Sequence, residues 1–357
     1  MRQTFKRFCL YLFILVCLLA INRALPLVST DVPQAAPQAP TGQSREQFSL
    51  KVGGLTVNFT LEGERIVALK DQIAQTTQGA FDYYLKLFGK APQQALGEMY
   101  TSVPIDIKQG DKWGGEVEGH HIYVEFDPKP DPSLPAPYAT AAFIKMRWQN
   151  DLAHEIFHLW NAKSFRYSTG KEQWFNEGFT QYYTFKGLKR MGAMDDKAFL
   201  FGWQTLWETY CTDRGFGSIS MREAGFTNKQ QHTGLVTGGG MFVAVCLDIT
   251  IRKSTENRKS LDDLMRILFE EFNSTDKMYD LEKLMAIVKR LTGSNEEDFF
   301  RKHVDGVERI PINEYLQRAG WAVKMDPGGT KIEIAKKNEM DKFEQDILSG
   351  ILGDPRK

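Results

Sequence analysis

His154-Glu155-Ile156-Phe157-His158 sets two imidazoles four residues apart with a carboxylate between them. On a helix, positions i and i+4 share a face, so both rings can reach one metal ion while Glu155 projects beside it. A catalytic zinc takes three protein ligands and leaves a fourth position for water. Glu177, in Trp174-Phe175-Asn176-Glu177-Gly178, is the natural third ligand, supplied by a second helix. Glu155 is then free to act as general base on the zinc-bound water. The chain has only six histidines, so a run of this kind rarely arises by chance.

Two elements must position these groups. The motif helix is expected over about 139–163, and the Glu177 helix from near Asn176, with Gly178 allowing close backbone packing. Before them, residues 47–60 alternate like strands around Gly53-Gly54 and predict a hairpin. Residues 64–89 carry a helical stripe through Ile66, Leu69, Ile73, Phe81, Tyr84 and Phe88, closed by Gly89. Residues 99–126 predict β-structure, with Val103, Ile105 and Ile107 alternating and then Ile122, Val124 and Phe126. A proline-rich loop spans Pro128 to Pro137. Later helices are expected near 195–212, 239–253, 260–273, 279–291, 296–304, 311–319 and 339–352, with a hairpin over Asp326-Pro327-Gly328-Gly329. The fold class is α+β: a small β-containing N-terminal lobe (46–138), a larger helical lobe (139–357), and zinc in the cleft between them. Binding sites commonly lie at such junctions.

The chain is long enough for one large domain or two ordinary ones. Lys+Arg and Asp+Glu balance at 45 each. That balance argues against nucleic acid as a partner, since phosphate binding needs a basic surface. Arg2, Lys6 and Arg7 precede an apolar run from Phe8 to Ile21, 14 residues long, which is short for a span and normal for a signal core. Residues 1–28 are therefore expected to be a signal peptide or membrane anchor, with residues 8–21 as the tether. Residues 29–45 read as a Pro/Ala/Gln-rich linker. The expected location is exported, either periplasmic/extracytoplasmic or membrane-anchored. Cys211 and Cys246 could pair in an oxidising compartment, although Cys246 sits in an apolar helical run.

The pattern resembles the gluzincin zinc metallopeptidases, specifically the glycyl aminopeptidase-like family, and more distantly the alanyl aminopeptidase and leukotriene hydrolase group. H-E-I-F-H-L-W-N-A-K at 154–163 and W-F-N-E-G-F-T-Q-Y-Y at 174–183 carry the resemblance. L-D-I-T-I-R at 247–252 and two segments between 299 and 320 add to it. Zinc peptidases of the Glu-ligand type place their third ligand where Glu177 stands, with 18 residues lying between it and His158. The resemblance implies a thermolysin-like gluzincin catalytic domain, with His154, His158 and Glu177 on zinc and Glu155 as base. Asn161 would hydrogen-bond to a ligand and hold its orientation. The implied function is a zinc peptidase, first of all an aminopeptidase, acting on peptides or proteins.

Three departures qualify that implication. The family's oxyanion-binding Tyr falls on Thr237 here, which leaves His232 as a substitute donor. The Gly-rich strand whose Glu grips a substrate amine becomes Gly114-Gly115-Glu116-Val117-Glu118-Gly119-His120-His121, with Glu118 or Glu116 as the candidate grip. The chain also ends without the PDZ domain that many relatives carry. An endopeptidase or oligopeptidase, and an inactive envelope-tethered binding protein that keeps its zinc, are the alternatives.

Overall fold

The computed structural model describes residues 44–94, 98–273 and 276–352. The expected targeting segment and nearly all of the linker lie outside them. β1 (Arg45–Val52) and β2 (Leu55–Glu62) form the expected hairpin. Gly53 and Gly54 turn between them with φ of 54° and 85°, a left-handed region that glycine enters without a Cβ penalty. β3 (Ser102–Gln109) runs parallel to β2 and to β5 (His121–Phe126), and β4 (Gly114–Glu118) lies antiparallel to β5. The order is β1-β2-β3-β5-β4, so β4 is an edge strand. Period-2 alternation sends Val103, Ile105, Ile107, Ile122, Val124 and Phe126 to the buried face.

That face packs on two helices. The 64–89 stripe divides into a short turn of helix, α1 (Glu64–Val67), and α2 (Lys70–Phe88), which Gly89 closes in the left-handed conformation. α3 (Ala141–His158) is the motif helix, started by Thr140, whose hydroxyl accepts from the Phe143 amide. It stops five residues earlier than the sequence pattern suggests. Ala162 takes φ of 102°, and the Lys163 amide turns back to the His158 carbonyl at 3.2 Å. Phe88 stacks on Trp160 at 5.6 Å, Tyr84 meets Phe157 edge-on at 4.8 Å, and the Tyr84 hydroxyl donates to the Ala153 carbonyl. These contacts fix α3 against α2.

α4 (Gln173–Arg190) carries Glu177 and runs through the middle of the molecule. Trp174, Phe175, Phe179, Tyr182, Tyr183 and Leu188 are apolar around its whole circumference, the signature of a fully buried helix. Even Lys186 is wholly buried, facing Asp262 at 3.3 Å and Asp248 at 3.8 Å. Next follow α5 (Asp196–Thr212) and α6 (Met221–Asn228), then a π-helical turn (Gly234–Gly239) leading into α7 (Gly240–Ser254). α6 and the π turn are absent from the sequence expectation. α6 buries only Met221 and Ala224, too thin a stripe to read. The stretch from Gly234 to Ser254 is apolar and long enough to cross a membrane, but it is mostly buried and serves here as a core helix.

α4 and α7 touch backbone to backbone. A Cβ added to Gly178 would stand 2.2 Å from the Gly240 carbonyl carbon, and one on Gly240 2.0 Å from the Trp174 oxygen. The chain finishes with α8 (Leu261–Glu271), α9 (Leu281–Thr292), α10 (Glu297–His303), α11 (Ile312–Gln317), the hairpin β6 (Trp321–Met325) and β7 (Ile332–Lys336), and α12 (Lys342–Leu352). One continuous hydrophobic core joins the sheet to the helical region. Cys211 and Cys246 are both free thiols, so they do not pair.

Candidate metal centre

His154 and His158 leave one face of α3, and Glu177 meets them from the start of α4. Glu177 Oε2 lies 3.3 Å from His154 Nε2 and 3.7 Å from His158 Nε2. The ligand atoms of all three residues fall within 4.8 Å of one another. A tetrahedral zinc with bonds of roughly 2.0–2.2 Å holds its ligand atoms about 3.3–3.6 Å apart, and the two Glu177 distances lie at or next to that range.

The surroundings agree with that fit. His158 Nδ1 lies 3.1 Å from the Asn161 carbonyl oxygen. A carbonyl can only accept, so Nδ1 carries the proton and Nε2 is left with the lone pair that a metal needs. Asn161 thus orients the ligand through its backbone. Its side-chain amide has another task, donating to the Asn176 carbonyl and to the Thr180 hydroxyl at 3.0 and 3.1 Å, which ties the end of α3 to α4 beside Glu177.

Glu155 is buried next to this cluster. Burial pushes its carboxyl up to about 7, with His154 acting in the opposite sense and Glu177 and Asp151 adding to the rise. For Glu177 burial also favours the neutral form, but Lys229 and the two histidines together outweigh it and hold the carboxyl well below the usual range. Two neighbouring carboxylates are thereby driven apart, one ready to bind a cation and one ready to carry a proton.

The sequence reading did not find Lys229. Its Nζ donates to Glu177 Oε1 at 2.7 Å, and the charge of Glu177 raises its pKa. It arrives from the 3₁₀ turn Lys229–Gln231 after α6, and no local pattern marks it. Thr180 was also missed, although its place three residues after Glu177 sets it on the same helix face.

His232 is paired elsewhere. Its Nδ1 lies 2.9 Å from Asp213 Oδ1, and Asp213 also accepts from the backbone amides of Gly215 and Leu235. Among the hydrogen bonds of the described residues, none joins it to the three-residue cluster. Thr237 lies in the π-helical turn.

Glu116 and Glu118 do not face Glu155. A Cβ on Gly115 would come within 2.5 Å of Glu155 Cγ, so it is Gly115, and with it Val117, that point toward α3. Glu116 pairs with Tyr123 and Glu118 with His121 on the opposite face. There His121 lies 3.0 Å from Asp106 and 2.9 Å from the Tyr123 hydroxyl. His120 lies in the turn between β4 and β5 and stacks on Tyr100 instead, so the two histidines diverge.

Residues 148–238 match the family of M61 glycyl aminopeptidases. No curated protein matches the chain. Among solved structures, an aminopeptidase N family protein from Idiomarina loihiensis aligns at 19% identity and a TM-score of 0.63, over 79% of this chain and 50% of that one. An M1 zinc metallopeptidase from Deinococcus radiodurans, a mutant bound to a Tyr-Ser-Ala substrate, aligns at 13% identity and a TM-score of 0.48, over 76% of this chain and 53% of that one. The chain spans about half the length of these structures. The α+β architecture is that of the aminopeptidase N family structure, and the segment carrying His154, His158 and Glu177 matches the M61 glycyl aminopeptidase family, so the gluzincin resemblance read from the two motifs stands.

Proposed function

We propose that the protein is a zinc-dependent peptidase. One observation carries the reading: His154, His158 and Glu177 converge at zinc-ligand spacing with the buried carboxyl of Glu155 beside them. The M61 match over the same helices supports it and points to the aminopeptidases as the first class of activity to test. His154 Nε2, His158 Nε2 and Glu177 would hold the ion. When bound, zinc supplies a Lewis acid and an acidified water. Glu155 takes the proton from the attacking water and returns it to the leaving amine. Burial suits it to both steps, since a carboxyl near neutrality gains and loses a proton readily at physiological pH. Lys229 holds the far oxygen of Glu177, and Asn161 holds the proton on His158 Nδ1.

His232 is the proposed polar partner of the substrate carbonyl, its ring fixed by Asp213. The physiological substrate is read as a peptide or protein outside the cytoplasm, reached from a body tethered through residues 8–21. The test is Glu155→Gln. The variant should keep zinc and lose about a hundredfold or more in kcat on a peptide mixture. Wild-type turnover in that variant would sink the assignment.

A further inference from the structure

The face that β4 turns toward Glu155 holds no carboxylate. Gly115 sits against Glu155, and Val117, the next residue on that side, is partly buried against the core. Glu116 and Glu118, the acidic residues of the strand, are fixed on the other face by their register with Tyr123 and His121. A slip of one residue would exchange the two sets, but the packing of Ile122 and Val124 opposite Val117 and Gly115 locks the parity.

Two of the charged groups near Glu155 are also cations, the wrong sign to hold a substrate ammonium. Lys163 is within electrostatic reach of both Glu155 and Glu118, and Lys229 of Glu155 and Glu177. Lys163 therefore already meets the negative charge of Glu118. Asp151 is another carboxylate near Glu155, one helical turn before it. Arg147, which lies over the Trp113 ring at 4.0 Å, supplies Asp151 with counter-charge. Because Asp151 Oδ2 is buried without a hydrogen-bond partner, it is the rival anchor for an amine.

We propose that the cleft makes no demand for a free substrate α-amino group, and takes peptides whose N-terminus is blocked or lies upstream of the cut bond. This rests on the peptidase reading and narrows its substrate class. An enzyme that anchors an α-ammonium on a buried carboxylate loses roughly a hundredfold or more when that ammonium is acetylated. Here acetylation removes nothing that the β4 face toward Glu155 binds.

The experiment compares pairs of hexapeptides, identical except for N-acetylation, on the zinc-loaded full chain. Two quantities are read: kcat/KM with cleavage positions by mass spectrometry, and Kd on the zinc-loaded Glu155→Gln protein. The expected result is a free-to-acetylated ratio within about threefold of unity in both, with internal bonds cut. A preference of about a hundredfold for free peptides, cut only at the first bond, overturns the proposal, and its loss in Asp151→Asn or Glu118→Gln would then name the anchor. Val117→Glu is expected to create a preference for the free peptide of about tenfold or more. No such gain, in a variant that keeps zinc and wild-type affinity for the acetylated peptide, overturns the assignment of this face to the substrate's N-terminal side. The Kd ratio is read without turnover, so a wild-type protein that binds both peptides alike yet cleaves neither refutes the peptidase reading and leaves the proposal supported.

Discussion

Gly178→Ala tests whether the crossing of α4 and α7 sets the metal centre. The added methyl would lie 2.2 Å from the Gly240 carbonyl carbon, 2.4 Å from its Cα and 2.4 Å from the Met241 nitrogen. All three are backbone atoms, so no side chain can swing away. Carbon atoms rest at about 3.5–4.0 Å, and the helices must therefore part by more than about 1 Å. Overpacking of this kind costs about 1–3 kcal/mol, and a backbone clash sits at the upper end. For a body of this size that is a fall of roughly 2–5 °C in Tm, with the upper end expected here. The second consequence is specific to this site. Glu177 is the neighbouring residue, and metal ligands must hold their distances within about 0.2 Å, so a displacement near 1 Å should weaken zinc binding by tenfold or more. Thermal unfolding with and without zinc, and competition with a chromogenic chelator, read the two effects separately. A variant with wild-type Tm and wild-type zinc affinity would refute the claim that this contact positions the ligand.

Further outcomes follow from the same geometry. Lys229→Met removes the partner of Glu177 Oε1 and should lower zinc affinity by about tenfold to a hundredfold, measured by the same competition; unchanged affinity would reduce Lys229 to a surface charge. His232→Ala should retain zinc and lower kcat by about a hundredfold if the ring faces the substrate carbonyl, whereas unchanged kcat would confine it to pairing with Asp213. In protein stripped of metal by chelation, the folded-state pKa of Glu155 is about 7, above its unfolded value of 4.5, so the native state binds more protons between these pH values. The associated stability is fully present below pH 4.5 and is lost as pH rises through about 7, on the order of 3 kcal/mol. Glu155→Gln should flatten that segment of the Tm–pH profile, and an unchanged slope would assign it to other groups.

The metal centre was legible because its information is local. His154 and His158 share a face by helical period alone, and Glu177 follows in a run whose aromatic residues mark a buried helix. The sheet faces and hairpins were legible for the same reason, since Val103 to Ile107 and Gly53-Gly54 write period and turn into adjacent residues. Lys229 was not legible, because its partner lies 52 positions earlier and only the fold of α6 onto the start of α4 brings them together. Gly240 was hidden likewise: a glycine at a helix start looks ordinary until Gly178 is found beneath it.

β4 shows the sharpest limit. Its residues state an alternation but not its parity, and a glutamate in a Gly-rich strand reads as an amine grip only if the strand turns it inward. The contact between Gly115 and Glu155 supplies that missing sign. It moves Glu116 and Glu118 off the cleft side and sets Val117 there in their place. The candidate metal ligands and the strand beside Glu155 thus depend on different information, spacing in one case and register in the other. Under the proposed peptidase reading, the three-ligand set says nothing by itself about which end of a peptide enters, and Val117 is the strand position whose change should alter that preference.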